Sequence, residues 1–223
     1  MKNLQTIYII AVVLNAIVNS TACQKAEVTH QFPLAEKHNI DETQLITAFA
    51  AFRQVPGALS IIVARDGEIV AETFTNYNNY GPDNTKNVHS VTKSFTGVLV
   101  GLAIDKGYIE SINDPISKYL AGLVTFPDAV KANITIEKLL KMSFGHSWNG
   151  TTADSLYDEW MAAPDHLQYI IELPLVAPPG TVFNYSDGAS HLLSVIITRA
   201  TGQNTMDFAK ANLFDPLQIT TFL

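Results

Sequence analysis

The stretch of residues 95–107 constrains the fold of this chain most strongly. Its apolar residues recur at the spacing i, i+3, i+4 and i+7 and also occupy most of the remaining sides, which predicts a helix buried on nearly all sides. Gly107 is typical of the position that follows a helix C-terminus. The apolar residues of this stretch are Phe95, Val98, Leu99, Val100, Leu102, Ala103 and Ile104.

Ser90 and Lys93 lie at the start of this helix, one turn apart on the same face. A serine hydroxyl is a weak nucleophile at neutral pH and needs a base that accepts its proton. A lysine that has lost its own proton, as burial favours, can be that base. The N-terminus of a helix also favours negative charge near Ser90. The pair therefore predicts a nucleophile and its base. The alternative is an N-cap serine followed by a solvated lysine.

Tyr185 precedes the last strong helix that the sequence predicts, over residues 189–201. A phenol at a loop-to-helix junction can reach a neighbouring site and carry a proton beside a lysine. The alternative is a half-buried tyrosine that only packs.

Ser147 is a competing nucleophile, because residues 145–150 (GHSWNG) nearly match the Gly-x-Ser-x-Gly nucleophile elbow. That elbow needs a strand before it and a helix after it. Here a predicted helix precedes it and polar residues follow, which disfavours Ser147. The six histidines show no metal-binding spacing, so we expect no metal and no other cofactor. His89 and His191 are expected to be structural, although His89 beside the nucleophile is also a candidate substrate-binding residue.

Length and charge restrict the partners of the chain. Its 223 residues suffice for one or two compact domains, and 47% hydrophobic against 16% charged residues is a globular composition. The net charge of −7 and the lack of long basic runs argue against nucleic acid and anionic membrane surfaces as partners. Nothing in the sequence implies a protein partner.

Local signals place further secondary structure around the central helix. Asp41 is a predicted N-cap for a helix over residues 45–52. Two β-rich runs, 58–64 and 69–74, flank Asp66-Gly67, which is a strong hairpin signal. Further helices are predicted from Pro115 toward Leu120, from Thr135 to about Met142, over 189–201 before Gly202, and over 205–213.

Residues 1–22 are predicted to be a secretory signal peptide. They contain an apolar run at 7–18 and small residues at 20–22, and a run of that length is too short to span a bilayer comfortably. Cys23, the only cysteine, stands where a bacterial lipoprotein is cleaved and acylated. We therefore expect an exported protein, lipid-anchored in the periplasm or cell envelope, with residues 23–36 as a tether. A simple secretory signal and a retained membrane anchor are the alternatives.

Five segments, in order along the chain, resemble motifs of the serine β-lactamase and penicillin-binding-protein-like hydrolases. The resemblance is closest to the branch of class C β-lactamases, esterases and 6-aminohexanoate-dimer hydrolases. It covers about residues 40–223. The segments are 89–96 (HSVTKSFT), 113–116 (NDPI), 135–145 (TIEKLLKMSFG), 179–187 (PGTVFNYSD) and 213–217 (LFDPL).

The resemblance implies an α/β (α+β) fold, with an antiparallel sheet flanked by helices over residues 37–223 and a helical insertion at about 111–183. It also implies a serine hydrolase that acts on a small-molecule or peptide substrate. In that reaction Ser90 attacks an amide or ester carbonyl to form an acyl-enzyme, Lys93 accepts the proton, and Tyr185 relays a proton to the leaving group. The non-enzymatic alternative is a binding or sensor module on the same scaffold.

Two departures from the family pattern qualify this expectation. The second motif usually ends in asparagine, but here it ends in Asp187, whose carboxylate would favour a protonated Lys93 and disfavour anionic substrates such as β-lactams. Asp187 is therefore a predicted substrate-binding residue. The third motif, Lys/His-x-Gly on a later strand, does not occur before Leu223. We therefore expect a C-terminally truncated chain that lacks the last strands and one oxyanion donor, a loss worth about 10²–10³-fold in rate.

The lipid-anchor hypothesis predicts that a Cys23→Ser change releases the protein from the membrane fraction into the soluble periplasm. Stable anchoring needs two or more acyl chains, and the change removes the thiol at which the lipoprotein hypothesis places the lipid. Fractionation and the mature N-terminal residue, read by mass spectrometry, are the measurements. Unchanged fractionation, or a mature chain that does not begin at Cys23, contradicts the hypothesis.

Overall fold

The computed structural model describes residues 7–10, 32, 34–75, 81–82, 84–148 and 155–222. The predicted acylation site, Cys23, and the rest of the predicted signal peptide apart from residues 7–10 lie outside this part of the chain. The chain divides into two compact units, one ending at His89 and the other running from Ser90 to Phe222.

The first unit contains a three-stranded antiparallel sheet of strand order β1-β2-β3. The predicted hairpin is confirmed: Asp66 and Gly67 form its two-residue turn, with φ of 53° and 82°. Helix α1 begins as predicted at Asp41, whose carboxylate accepts a hydrogen bond from the Gln44 N–H. The elements are β1 (Ile7–Ile10), α1 (Glu42–Phe52), β2 (Ser60–Arg65) and β3 (Glu68–Phe74).

Strand β1 is an element that the sequence interpretation did not predict. Ile7 to Ile10 fall in the predicted signal peptide, and here they pair with β2 from Arg65 back to Ile62. A short apolar run is compatible with a strand as well as with a signal sequence, so periodicity alone does not separate the two. Export itself stays a prediction.

The core of the first unit forms where α1 packs with strands β2 and β3. Phe32 and Ala35, which fall in the predicted tether, are buried in this core, and the ring of Phe32 meets that of Phe49 edge-on at 5.5 Å. The packed part of the chain therefore includes residue 32, because these two apolar side chains gain by leaving water. The buried residues are Phe32, Ala35, Leu45, Phe49, Val70 and Ala71.

The second unit is helical in its described residues and is organised around α8. Helix α8 contacts α2, α3, α5 and α9, and it ends as predicted at Gly202, which has a φ of 71°. A π-helical turn at Lys210–Phe214 follows α9. The helices are α2 (Thr92–Asp105), α3 (Ser117–Leu120), α4 (Ala129–Ala132), α5 (Ile136–Leu140), α6 (Ser155–Ala162), α7 (His166–Glu172), α8 (Asp187–Thr201) and α9 (Thr205–Ala209).

Helix α2 is less buried than its sequence predicts. Thr96, Leu99, Val100 and Ala103 form one buried stripe, whereas Val98 is 49% exposed. The expectation of burial on nearly all sides was therefore wrong for the outer face. Composition identifies an apolar helix, but it does not say how many neighbours cover it.

None of the helices in the described residues is long and apolar enough to cross a membrane.

A buried lysine holds the end of helix α7. Lys131 is 6% exposed, and its ammonium donates to the carbonyl oxygens of Ile171 at 2.8 Å and Leu173 at 2.7 Å. The last carbonyls of a helix have no partner within the helix, and a cation complements the negative end of its dipole. Lys131 thus donates hydrogen bonds to carbonyl oxygens at the C-terminal end of α7 that have no partner within the helix.

We expect a Lys131→Met change to lower the free energy of unfolding by about 1–3 kcal/mol, because it leaves buried carbonyls without a donor while keeping the apolar stem. Urea unfolding followed by circular dichroism is the measurement. The matched control is Lys141→Met, which removes an exposed pair with Glu137 and should cost less than about 1 kcal/mol. Equal losses in the two variants would contradict this role for Lys131.

Candidate active site

Ser90 and Lys93 meet at the start of helix α2. Ser90 lies in a short 3₁₀ turn at His89–Val91 that leads into the helix. The Lys93 ammonium donates a hydrogen bond of 3.2 Å to the Ser90 hydroxyl. Ser90 is exposed, whereas the Lys93 side chain is 18% exposed. The structure therefore places the predicted nucleophile in solvent reach and the predicted base half-buried behind it.

Tyr185 and Asp187 reach the same lysine from the chain that leads into α8. Lys93 forms a salt bridge and a hydrogen bond with the Asp187 carboxylate. Its Nζ also lies 4.9 Å from the centroid of the Tyr185 ring, a cation–π distance. Four of the predicted site residues, Ser90, Lys93, Tyr185 and Asp187, therefore form one cluster.

Burial and the neighbouring side chains shift the pKa of Lys93 in opposite directions. Burial lowers the pKa of Lys93, but interactions with Asp187 and Tyr185 outweigh it and raise this pKa above the ordinary lysine value. The lysine in this arrangement is an ammonium at neutral pH and a hydrogen-bond donor to Ser90. The expected effect of the Asp187 carboxylate is thus present in the geometry.

Every second residue around Tyr185, namely Asn184, Ser186 and Gly188, is held by contacts within the second unit. Asn184 hydrogen-bonds to the loop after α5, and buried Ser186 accepts the Ala189 N–H as the N-cap of α8. A Cβ at Gly188 would lie 3.1 Å from Trp148, so only glycine fits without a shift. Tyr185 and Asp187, between these anchors, contact Lys93.

The loop at 142–148 forms the support beneath these anchors. Gly145 has a φ of 90°, and a Cβ there would come within 2.5 Å of the Ala177 carbonyl oxygen. His146 is fully buried and stacked on Phe144 with ring centroids 4.5 Å apart. Burial, followed by the nearby Lys131 charge, lowers the pKa of His146 to about 4, so its imidazole is neutral at pH 7.

Sequence reasoning missed this support, because its contacts join residues that are distant in the chain. Two local signals fell in this loop: the family-like segment 135–145 and the near-match to a nucleophile elbow at 145–150, whose serine was disfavoured as a nucleophile. Neither signal indicated a supporting role. Ser147 lies between buried His146 and Trp148, and its N–H donates to the Pro174 carbonyl. In the described residues, no base lies within hydrogen-bonding distance of its hydroxyl. The surroundings of Ser147 therefore do not support a role as a nucleophile.

The two remaining histidine expectations have different outcomes. His191 packs edge-on against Trp160 at 5.5 Å, a contact of the kind that a structural role predicts. His89 is exposed, has a left-handed backbone with φ of 46°, and donates its N–H to the Asn87 side chain. Its assignment as a substrate-binding residue stays a prediction.

The profile of the beta-lactamase family matches residues 43–222. The chain belongs to that family. The match includes α1 from its second residue, the strands β2 and β3, and all four clustered site residues. The resemblance found in the five sequence segments is therefore confirmed.

Individual proteins resemble this chain in sequence or in fold. Protein flp of Staphylococcus aureus strain MW2 is 27% identical over 176 residues, which are 75% of this chain and 35% of that protein. A penicillin-binding protein homologue from Pyrococcus abyssi superposes with a TM-score of 0.61 at 23% identity, covering 80% of this chain and 42% of that one. A beta-lactamase/D-alanine carboxypeptidase from Yersinia pestis gives a TM-score of 0.53 at 21% identity, covering 68% and 45%.

These matches establish a β-lactamase-like fold that combines helices with a small antiparallel sheet, as expected. The chain spans about a third of the length of the curated relatives it matches. Similarity at this level of identity describes the architecture alone.

The Lys93–Asp187 pair generates a prediction that does not depend on activity. Asp187→Asn should lower the pKa of Lys93, because it removes the carboxylate that favours the ammonium while keeping the shape of the side chain. The pH titration of the Lys93 ¹³Cε resonance measures this pKa directly. Asp207→Asn, on helix α9, is the control and should leave the titration of Lys93 unchanged. An unaltered Lys93 titration in Asp187→Asn contradicts the electrostatic account.

Proposed function

We propose that this protein is a serine hydrolase that cleaves small esters or amides through an acyl-enzyme on Ser90. The observation that carries the proposal is the contact of 3.2 Å between Lys93 Nζ and Ser90 Oγ, with Tyr185 over the same ammonium. A nucleophile, a base within hydrogen-bonding reach and a second proton carrier are the groups that acyl transfer requires.

The proposed reaction begins with transfer of a proton from the Lys93 ammonium to water. Neutral Lys93 then takes the proton of Ser90 Oγ as this oxygen attacks the carbonyl carbon. The tetrahedral oxyanion is stabilised by the Ser90 N–H, and the leaving group departs with a proton relayed through Tyr185. Water then attacks the acyl ester, with the same residues moving the proton in reverse, and releases the acid and free Ser90.

The net charge of the cluster formed by Ser90, Lys93, Tyr185 and Asp187 indicates which substrate charge the site favours. The Asp187 carboxylate offsets the Lys93 ammonium, so the pair presents little net positive charge to a substrate carboxylate. Uncharged esters and amides, including small peptides, are therefore the proposed substrates in preference to anionic β-lactams.

The same ion pair favours a second candidate function. If Lys93 stays protonated, the acyl-enzyme forms slowly and is hydrolysed slowly, and the chain then acts as a covalent binding or sensor module. The two candidates differ in turnover: an enzyme releases product repeatedly, whereas a sensor accumulates one acyl group per chain.

Export with a lipid anchor at Cys23 belongs to the same proposal. It rests on the apolar run and small residues that precede the only cysteine. A hydrolase at the cell envelope would meet small or peptide substrates outside the cytoplasm.

The test is acylation by a fluorophosphonate probe, followed by intact mass. We expect one adduct per chain and its loss in Ser90→Ala, because the hydroxyl is the attacking group. Ser94→Ala is the matched control, since Ser94 is an exposed serine on the same helix and should leave labelling intact. A Lys93→Met change should lower turnover by about 10²–10⁴-fold if the lysine is the base. An adduct that persists in Ser90→Ala would refute the assignment.

A comparison between the number of ester molecules hydrolysed per chain and the amount of stable acyl adduct distinguishes the two candidate functions. Repeated release of product identifies the hydrolase, and one-to-one accumulation without release identifies the sensor.

A further inference from the structure

We propose that Asn184 is a positioning residue for the reaction, holding Tyr185 and Asp187 against Lys93. The inference rests on the proposed function for its catalytic consequence. The positional part stands on geometry alone. Within the described residues, Asn184 forms no hydrogen bond or ion pair with Ser90 or Lys93, so its proposed effect on the reaction passes through its neighbours.

Asn184 is fixed to the loop after α5 by two hydrogen bonds. Its backbone N–H donates to the Met142 carbonyl at 2.7 Å, and its side-chain Nδ2 donates to the His146 carbonyl at 3.1 Å. The two acceptors are four residues apart, so together they fix both the position and the rotation of Asn184. A single hydrogen bond would leave the rotation free.

The acceptors themselves belong to a rigid loop. Met142 adopts a left-handed φ of 51°, and the Ser143 carbonyl accepts the Gly180 N–H at 2.6 Å. Gly145 accepts from the Val176 N–H at 2.9 Å. On the other side of His146, the Ser147 N–H donates to the Pro174 carbonyl at 2.8 Å. Backbone hydrogen bonds on both sides of His146 therefore keep its carbonyl in place, and a fixed acceptor can hold the residue bound to it.

Tyr185 lies between two anchored neighbours. Asn184 holds one side, and Ser186, buried as the N-cap of α8, holds the other. The backbone at Ser186 is extended, with φ of −146° and ψ of 124°, and side chains of successive residues in extended chain point in opposite directions. With Asn184 bound to the loop, the Tyr185 ring is directed to the Lys93 ammonium at 4.9 Å.

An amide side chain can form the hydrogen bond that position 184 makes, whereas a carboxylate cannot. The side chain at 184 must donate to a carbonyl, and an ionised carboxylate only accepts. Asn184→Asp keeps the size of the side chain but places an oxygen against the His146 oxygen. It therefore removes the side-chain bond with the least change in packing.

The experiment compares Asn184→Ala and Asn184→Asp with the unmodified chain. Asn212→Ala is the matched control, because the Asn212 amide also donates to a backbone carbonyl, that of Phe208 at 2.9 Å, in the same unit. The first readout is the chemical shift of the Lys93 ε-protons, which the Tyr185 ring current displaces. The second is the rate of Ser90 acylation by a simple ester, and thermal melting checks that each variant folds.

We expect both Asn184 variants to move the Lys93 ε-proton shift toward that of a free lysine. The acylation rate should fall about tenfold to a hundredfold, as for a small misplacement of a reacting group, with the change in kcat rather than in KM. Asn212→Ala should alter neither readout, even if it lowers the melting temperature equally.

An unchanged Lys93 shift in folded Asn184 variants overturns the positioning role. If the shift moves but the acylation rate does not, Tyr185 is positioned by Asn184 but the catalytic part of the inference is overturned. If the unmodified chain shows no acylation on Ser90, the proposed function fails, while the Lys93 shift still decides the positional claim.

Discussion

The second unit depends on the burial of helix α8. Its apolar face lies among α2, α3, α5 and α9, and the removal of that face from water is the largest favourable contribution that the helix makes. The same helix carries Asp187 at its first position and Tyr185 just before it. The packing that holds the core together thus also determines where these side chains meet Lys93. Its buried residues are Gly188, Ala189, Leu192, Leu193, Ile196 and Ile197.

The site combines this support with an ion pair between Asp187 and Lys93, the residue proposed as the base. A lysine that acts as a base must lose its proton, yet Asp187 stabilises the charged form. In the proposed reaction, the rate of acylation would depend on the small neutral fraction of Lys93, which grows with pH. Positioning of the side chains would raise the rate of acyl transfer, whereas a protonated Lys93 would lower it. In the proposal, the balance between these two effects separates a hydrolase from a covalent sensor.

Locally encoded features could be predicted from the sequence, and features that depend on distant contacts could not. The turn at Asp66-Gly67 and the cap at Asp41 follow from the chemistry of adjacent residues. The motif around Ser90 was recognisable because its spacing is that of one helical turn. The exposed face of α2 and strand β1 were not predicted, since apolar runs do not specify their neighbours. The contacts of Asn184 depend on carbonyls about 40 positions earlier, and no local pattern encodes them.

The near-neutral Lys93–Asp187 pair has a consequence for how substrates arrive. A cationic site attracts anions over a distance of about 10 Å at 0.1 M salt and accelerates their encounter. Here the local charges largely cancel, and the net charge of the chain is −7. The far field seen by an approaching anion is therefore repulsive, and added salt weakens it. Association of anionic ligands should accordingly be slow and speed up with ionic strength, whereas that of neutral esters should be indifferent to it.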